Sequence, residues 1–439
     1  MDFSYPTRPL NAFAKLLSGG TPSKAKQEFW NGDIPWITPK DMGDWNGSTA
    51  NHVTPDAVGN GTRLAPAWTS YIAVRGMSLH KEIRVVRAPF PATFNQDIKA
   101  VEAFDGVDNR FLYYCLVAHK PTLLEKVESA GHGTGRLPTD QLESLQIPDV
   151  DDNISVSIAK VLGNLDDKII LLREMNTTLE GIARAVFRAW FIDFEPVRAK
   201  AVGATSFRGM PQNLFETLPD SFTPSELGDI PTGWTVKSLN ELVSQPVKRG
   251  LAPKYTKTGG VVVLNQKCVR NWEVNLELGR RHDAEAKPLK DKSVDRFDIL
   301  VNSTGVGTLG RVAQVYHLNE ETTVDSHLSL VKPNPQKIAP IFLGINLTER
   351  EEEIERLGHG STGQTELSRH KLGELGMLVP KEEFQSAFED IALPLIERKT
   401  SNTHEASVLS SMRDTLLPKL ISGELETPSL EALGLEGGD

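Results

Sequence analysis

From Ile154 to Lys200 an apolar residue falls at every seventh position, namely Ile158, Leu165, Leu172, Leu179 and Val186. A second row, Val161, Leu162, Ile169, Met175, Ile182 and Ala189, widens these positions into one stripe at helical spacing. The pattern predicts a single long helix over residues 151–200, with Gly163 as a weak point inside it and Pro196 at its end. At 1.5 Å per residue such a rod is about 55 to 60 Å long, and its apolar stripe has to be buried against a similar partner.

The partner lies in the same chain. Displacing the sequence by 230 positions puts Ile158 on Phe388, Val161 on Ile391, Leu165 on Leu395, Leu179 on Leu409, Ile182 on Met412 and Val186 on Leu416. The same displacement carries Leu142 and Leu145 onto Leu372 and Leu375. With small gaps Gly131–Gly135 matches Gly358–Gly363, and Tyr71–Val74 matches Asp298–Val301. The chain therefore reads as a tandem duplication of a globular domain followed by a long helix. The expected divisions are a first globular domain at 1–150, a helix at 151–200, a Gly/Pro/Ser/Thr-rich connector at 201–233, a second globular domain at 234–380, a second helix at 381–426 and a tail at 427–439.

The globular parts are of mixed α/β (α+β) class. Ile34–Ile37, Tyr71–Val74 and Ile83–Val86 suit strands, while Arg110–Val117 and Thr122–Val127 suit short helices. Packing the two rods antiparallel as a coiled coil predicts a pseudo-two-fold axis relating the copies. The expected seam is Ile158, Leu165, Leu172, Leu179 and Val186 against Phe388, Leu395, Leu409 and Leu416. Pro394 is expected to kink the second rod or open one turn. Asn402, where Leu172 stands in the first copy, either fixes register inside the seam or points at water.

Composition narrows the function. The net charge of -10 argues against a nucleic-acid partner on its face, but residues 248–292 hold 11 Lys or Arg against 5 Asp or Glu. Such a cluster is either a solvated face or a surface for an anion. Two cysteines form no metal or disulfide pattern, no signal-like segment or 18-residue apolar run is present, and a soluble cytoplasmic protein is expected. Gly305-Val306-Gly307-Thr308-Leu309-Gly310 matches a dinucleotide-binding loop, yet Arg311–Tyr316 alternates like a strand, so a glycine-rich hairpin is expected. No catalytic motif and no metal-ligand spacing stands out, so no catalytic and no metal residue is expected.

Leu165-Asp166-Asp167-Lys168-Ile169, the segment Phe187–Lys200, Leu416–Leu425, Gly20–Lys24 with Ile34–Thr38, and Ser361–Gln364 resemble the specificity subunit of type I restriction-modification enzymes over essentially the whole chain. The resemblance implies a non-catalytic subunit with two target-recognition domains that read a split, asymmetric sequence in double-stranded DNA. It also implies two adenine-N6 methyltransferase subunits and motor-nuclease subunits as partners. S-adenosylmethionine, ATP and Mg would then belong to those partners, with no cofactor in this chain. The competing readings are a coiled-coil scaffold whose globular domains bind protein, and an enzyme using the glycine-rich hairpin.

Contacts follow from side-chain chemistry. Phosphate candidates are the glycine loops, His132, Thr134, Gly135 and Arg136 in the first copy and His359, Ser361, Thr362, Gly363, Gln364 and Arg369 in the second, each loop being alternatively a turn that ends its domain. Base-edge candidates are Lys24, Trp36, Thr38, Lys40, Arg75, Lys81 and Arg84 in the first domain. In the second they are Lys254, Tyr255, Lys257, Gln266, Lys267, Asn302, Thr304 and His327.

Overall fold

The computed structural model describes residues 2–130, 133–359 and 366–427. The chain divides into two compact units, one built from the chain up to Leu171 and from Glu405 onward, the other from Leu172 to His404. Each unit thus takes one globular region and part of both long helices.

In the first unit, Ala14–Ser18, Ile98–Ala103, Ser70–Ala73 and Val85–Arg87 form, in that order, an antiparallel sheet. Ser70–Ala73 is buried at every position, so it reads as a continuous run rather than an alternation. A second sheet orders Asn51–Val53, Trp30–Ile37, Ala92–Phe94 and Leu64–Ala65, with Trp30–Ile37 and Ala92–Phe94 parallel. Helix Asn109–Ala118 starts where the Asp108 carboxylate accepts from the Phe111 N–H at 2.6 Å. Its Phe111, Leu112, Cys115 and Leu116 join Tyr71, Phe94 and Val101 in one core.

The second unit repeats this plan. Lys248–Arg249, Leu328–Val331, Ile299–Asn302 and Val312–Gln314 form an antiparallel sheet in the equivalent order. In its companion sheet Val261–Leu264 lies parallel to Thr322–Val324, as Trp30–Ile37 does to Ala92–Phe94. Helices Pro340–Thr348, Glu351–Arg356 and Arg369–Gly373 follow in the places of Asn109–Ala118, Lys120–Glu125 and Thr139–Glu143. The hydrogen bonds correct the sequence register. Ala73 pairs with Ile98 and Asn302 with Leu328, so Tyr71 corresponds to Leu300, two residues beyond the expected Asp298. A slip of two keeps every side chain on its face, which is why apolar matching alone does not detect it.

The long helices are Asp152–Phe191 and Glu382–Ser422, 40 and 41 residues. Within the first unit they run in opposite directions, Asp166 meeting Arg413 at 2.7 Å and Lys168 meeting Glu405 at 3.5 Å. Within the second, Asn176 meets Asn402 at 3.0 Å, Glu180 meets Lys399 at 2.5 Å, and the Phe187 and Phe388 rings lie 5.5 Å apart. Of the expected seam, Ile158, Leu172 and Phe388 are buried, whereas Leu165, Leu179, Val186, Leu395, Leu409 and Leu416 are half-buried. Ile182 and Met412, expected in the stripe, are exposed. The small residues Ala183, Ala392 and Ala406 are buried instead, along with Phe384 and Ile396.

Two expectations fail, and one of two alternatives for Pro394 is excluded. The first helix stops at Phe191 rather than reaching residue 200, because Phe194 adopts a left-handed φ of 53° and Glu195–Ala201 begins anew with Pro196 in its first turn. The second helix continues through Pro394 without an opened turn. Residues 201–233 are not a loose connector. They contain helix Gln212–Thr217 and the hairpin Phe222–Ser225 with Gly228–Pro231, and Met210, Leu214, Phe215, Leu218 and Ile230 are buried in the second unit's core. Lys200 holds this segment by donating to the Phe215, Glu216 and Leu218 carbonyls at 3.3, 2.7 and 2.6 Å.

The Leu165–Ile169 motif has a local structural explanation. Asp166 accepts from the Tyr114 hydroxyl at 2.7 Å and from Arg413 at 2.7 Å, while Asp167 pairs with Arg110 at 2.5 Å. Arg110 also donates to the Gly163 carbonyl at 2.9 Å, and a β-carbon at 163 would lie 2.2 Å from its guanidinium carbon. Gly163 is therefore the gap through which Arg110 reaches the helix.

Candidate nucleic-acid interface

In the first unit three chain segments meet at one end of the paired sheets. The Asn95 N–H donates to the Ile37 carbonyl at 3.0 Å, just before Thr38–Lys40, and the Val74 N–H donates to the Asp97 carbonyl at 2.8 Å, just before Arg75. Arg75–Gly76 then pairs with Gly135–Arg136, placing Arg75 directly opposite Arg136. Both arginines are exposed, and among the described residues neither has an ion-pair partner. Like charges directly opposite each other on neighbouring strands are unfavourable, and an anion relieves that repulsion. Lys24, Lys40 and Lys81 are likewise exposed and without an ion pair among the described residues.

The same end of the second unit carries different side chains. The Asp325 N–H donates to the Leu264 carbonyl at 2.8 Å, and the Ser303 N–H to the His327 carbonyl at 2.9 Å. Thr304 is bridged to Glu366 in the place where Arg75 faces Arg136. Gln266, Thr304 and His327 come together, with the Thr304 hydroxyl donating to Gln266 Oε1 at 3.2 Å and lying 2.7 Å from His327 Nδ1. With that hydroxyl proton directed to Gln266, the His327 tautomer that fits is the one in which Nδ1 donates to Thr304. The Gln266 amide nitrogen retains its donors, which suits a base edge. Lys267, next to Gln266, and Arg369, shortly after Glu366, are exposed.

The structure places several of the expected contacts inside the fold or in internal hydrogen bonds. Trp36 is buried, donates to the Gly20 carbonyl at 3.1 Å and packs edge-on against Trp30, so it supports the sheet. Asn302 is fully buried, with its amide donating to the Gln266 carbonyl at 3.1 Å, and it positions the Gln266 loop. Arg84 is held by Glu82 at 2.5 Å and by the Pro39 carbonyl at 2.9 Å. Thr38 donates through both its N–H and its hydroxyl to Asp41, at 2.8 and 2.6 Å. Gly135 is buried and Thr134 is half-buried. Lys254, Tyr255 and Lys257 lie at the sheet edge strand Tyr255–Thr256, where Arg280 stacks over the Tyr255 ring at 3.3 Å. No described contact joins them to the Gln266 network. His132, the His359 side chain and Ser361, Thr362, Gly363 and Gln364 lie outside the described residues.

The basic stretch at 248–292 is largely consumed internally. Lys248 pairs with Asp291, Arg249 with Glu366, Arg281 with Glu320 and Lys254 with Asp283. Lys287 and Lys292 donate to the Ala252 and Gly250 carbonyls at 2.7 and 2.8 Å. Sequence reasoning missed Gln96, exposed in the place of Ser326 and accepting from the Thr21 hydroxyl at 2.6 Å. The correct repeat register, once known, points to it through Thr93–Asp97 and Thr323–His327.

The expected hairpin is present, since Ile299–Asn302 and Val312–Gln314 pair antiparallel across Gly305–Gly310. Among the described residues no group of three His, Cys, Asp or Glu is placed to hold a metal, and no helix is long and apolar enough to cross a membrane.

Comparison with known proteins agrees with this architecture. Residues 5–181 match the type I restriction modification DNA specificity domain. The type I restriction enzyme MjaIX specificity subunit of Methanocaldococcus jannaschii is 26% identical, covering 97% of this chain and 94% of its own. The HindI specificity subunit of Haemophilus influenzae is 24% identical over 72% of this chain and 77% of its own. The crystal structure of the type I restriction-modification S subunit from M. genitalium shares the fold, with a TM-score of 0.59 and 16% identity over 95% of this chain and 96% of that one. With a specificity-domain match over residues 5–181, relatives aligned along nearly all its length and a shared fold, the chain is similar to type I restriction-modification specificity subunits.

Proposed function

We propose that this chain is the non-catalytic reader of a bipartite, asymmetric sequence in double-stranded DNA. The observation that carries this reading is the repeated loop end of the two units, one backbone plan furnished with Arg75 and Arg136 in one case and Gln266, Thr304 and His327 in the other. A shared plan with different donors and acceptors is what two half-sites of different sequence require. The long helices act as an antiparallel coiled-coil spacer with pseudo-two-fold symmetry. Each is about 60 Å long at 1.5 Å per residue, against about 34 Å per turn of duplex, which leaves an unread spacer between half-sites.

The paired helices also offer two equivalent docking places for methyltransferase subunits, and motor-nuclease subunits join through the complex. S-adenosylmethionine, ATP and Mg act in those partners, and the assembly works in the cytoplasm. A scaffold that binds only protein predicts association nearly indifferent to salt, whereas a reader that neutralises phosphates loses affinity steeply as salt rises. Duplex binding by the chain co-purified with its methyltransferase subunit, measured across a salt series, separates the two. Arg75→Ala is expected to relax the half-site read by the first unit and, by removing a charge, to lower the log–log salt slope by about 1. Gln266→Ala is expected to relax one half-site while leaving that slope unchanged.

A further inference from the structure

Each unit sets an exposed aliphatic side chain at the same point of its fold. In the first, Ser70–Ala73 continues through Val74 and Arg75 to Gly76, whose φ is 149°, and Met77 follows, 76% exposed. In the second, Ile299–Asn302 continues through Ser303 and Thr304 to Gly305, whose φ is 104°, and Val306 follows, 81% exposed. The equivalence is fixed by hydrogen bonds, because the Leu137 N–H donates to the Val74 carbonyl and the Leu367 N–H to the Ser303 carbonyl, both at 2.9 Å. Gly76 and Gly305 hold φ values that other residues rarely adopt, so each tip is aimed by a backbone that tolerates little else. A β-carbon added at Gly76, before Met77, or at Gly307, after Val306, meets nothing within 4 Å, whereas one at Gly305 would meet Thr308 and Gln266.

An aliphatic tip has no donor for a phosphate, yet these two sit beside the groups best suited to DNA, Arg75 with Arg136 and Thr304 with Gln266 and His327. The apolar group that the major groove presents is the thymine methyl. Insertion between base pairs calls for longer side chains, and valine is short and stiff. We propose that Met77 and Val306 are specificity-determining residues that contact a thymine methyl, one in each half-site. This inference rests on the DNA-reading function above.

The test uses the complex with the methyltransferase subunit and the duplex defined by its methylation pattern. Each thymine is replaced in turn by deoxyuridine, which removes only the methyl, and binding is measured for wild type, Met77→Ala and Val306→Ala. Wild type should weaken about fourfold at one thymine in each half-site, the loss expected for one methyl-sized contact. Met77→Ala should weaken the native duplex comparably, with no further loss at one of those positions, and Val306→Ala should do the same at the other. The salt slope should stay unchanged in both. Deoxyuridine sensitivity that persists in the variants, its absence in wild type, or a variant that binds like wild type overturns the proposal. Equal weakening of a variant on every duplex also overturns it, in favour of a wedge. Wild type failing to bind any duplex in a salt-dependent way is a different result, and it overturns the DNA-reading function together with the inference.

Discussion

Asn402 is fully buried in Glu382–Ser422, donating to Asn176 Oδ1 at 3.0 Å while its own side-chain oxygen has no partner among the described residues. An unsatisfied buried amide costs stability, and its return is register, because only one alignment brings Asn176 opposite it. Asn402→Leu should raise the unfolding free energy by about 1 kcal/mol in denaturant titration. An unchanged or lower value would show that the Asn pair stabilises outright.

His119 gives a pH signature. It is buried, its Nδ1 lies 2.7 Å from the Cys115 carbonyl and its ring stacks on Phe3, and burial holds its pKa below the ordinary 6.5. The native state then binds fewer protons than the unfolded chain, so this contribution is present above 6.5 and is lost as pH falls from there through the folded value. The urea midpoint should drop between about pH 7 and 5, and it should drop less in His119→Gln. At this scale the sequence revealed residue types better than residue roles. Gln266, Thr304 and His327 were legible as hydrogen-bonding groups, but Trp36 and Asn302 carry the same chemistry and are buried. Periodicity in short strands that are covered on both faces carries no sign of which polar group is enclosed.

Among the elements, the long helices show how weak preferences are overruled by contacts. Gly163→Ala should gain about 1 kcal/mol of helix propensity, yet it displaces a guanidinium that makes charge-assisted bonds of about 1.5 to 3 kcal/mol. The net expectation is a loss of about 1 kcal/mol, and a stabilised variant would contradict the role given to Arg110. Phe388 packs with Phe187, Phe191 and Phe342 at ring separations of 5.5, 5.6 and 6.5 Å. Phe388→Ala should cost about 3 to 5 kcal/mol in the second unit, read by denaturant titration. Heptad spacing located both helices. It did not locate the turn at Phe194, since nothing in its side chain announces a left-handed backbone, nor the burial of alanines in place of larger neighbours, which depends on how closely the two helices approach.

Across the whole molecule, the duplication was legible from a fixed displacement of apolar positions, and the equivalent sheet orders of the two units express it in backbone terms. What escaped was where the side chains diverge as the proposed function requires. Arg75 facing Arg136 and Thr304 facing Glu366 occupy one structural position with different electrostatic character, and matching by hydrophobicity is blind to both. The most direct measurement is a genome-wide map of methylated adenines in cells that co-express this chain, or its Gln266→Ala variant, with the methyltransferase subunit. The expected map is a split, asymmetric motif of two different half-sites around an unread spacer, with only one half relaxed in the variant. A single uninterrupted motif, or equal loss in both halves, would contradict the two-reader account.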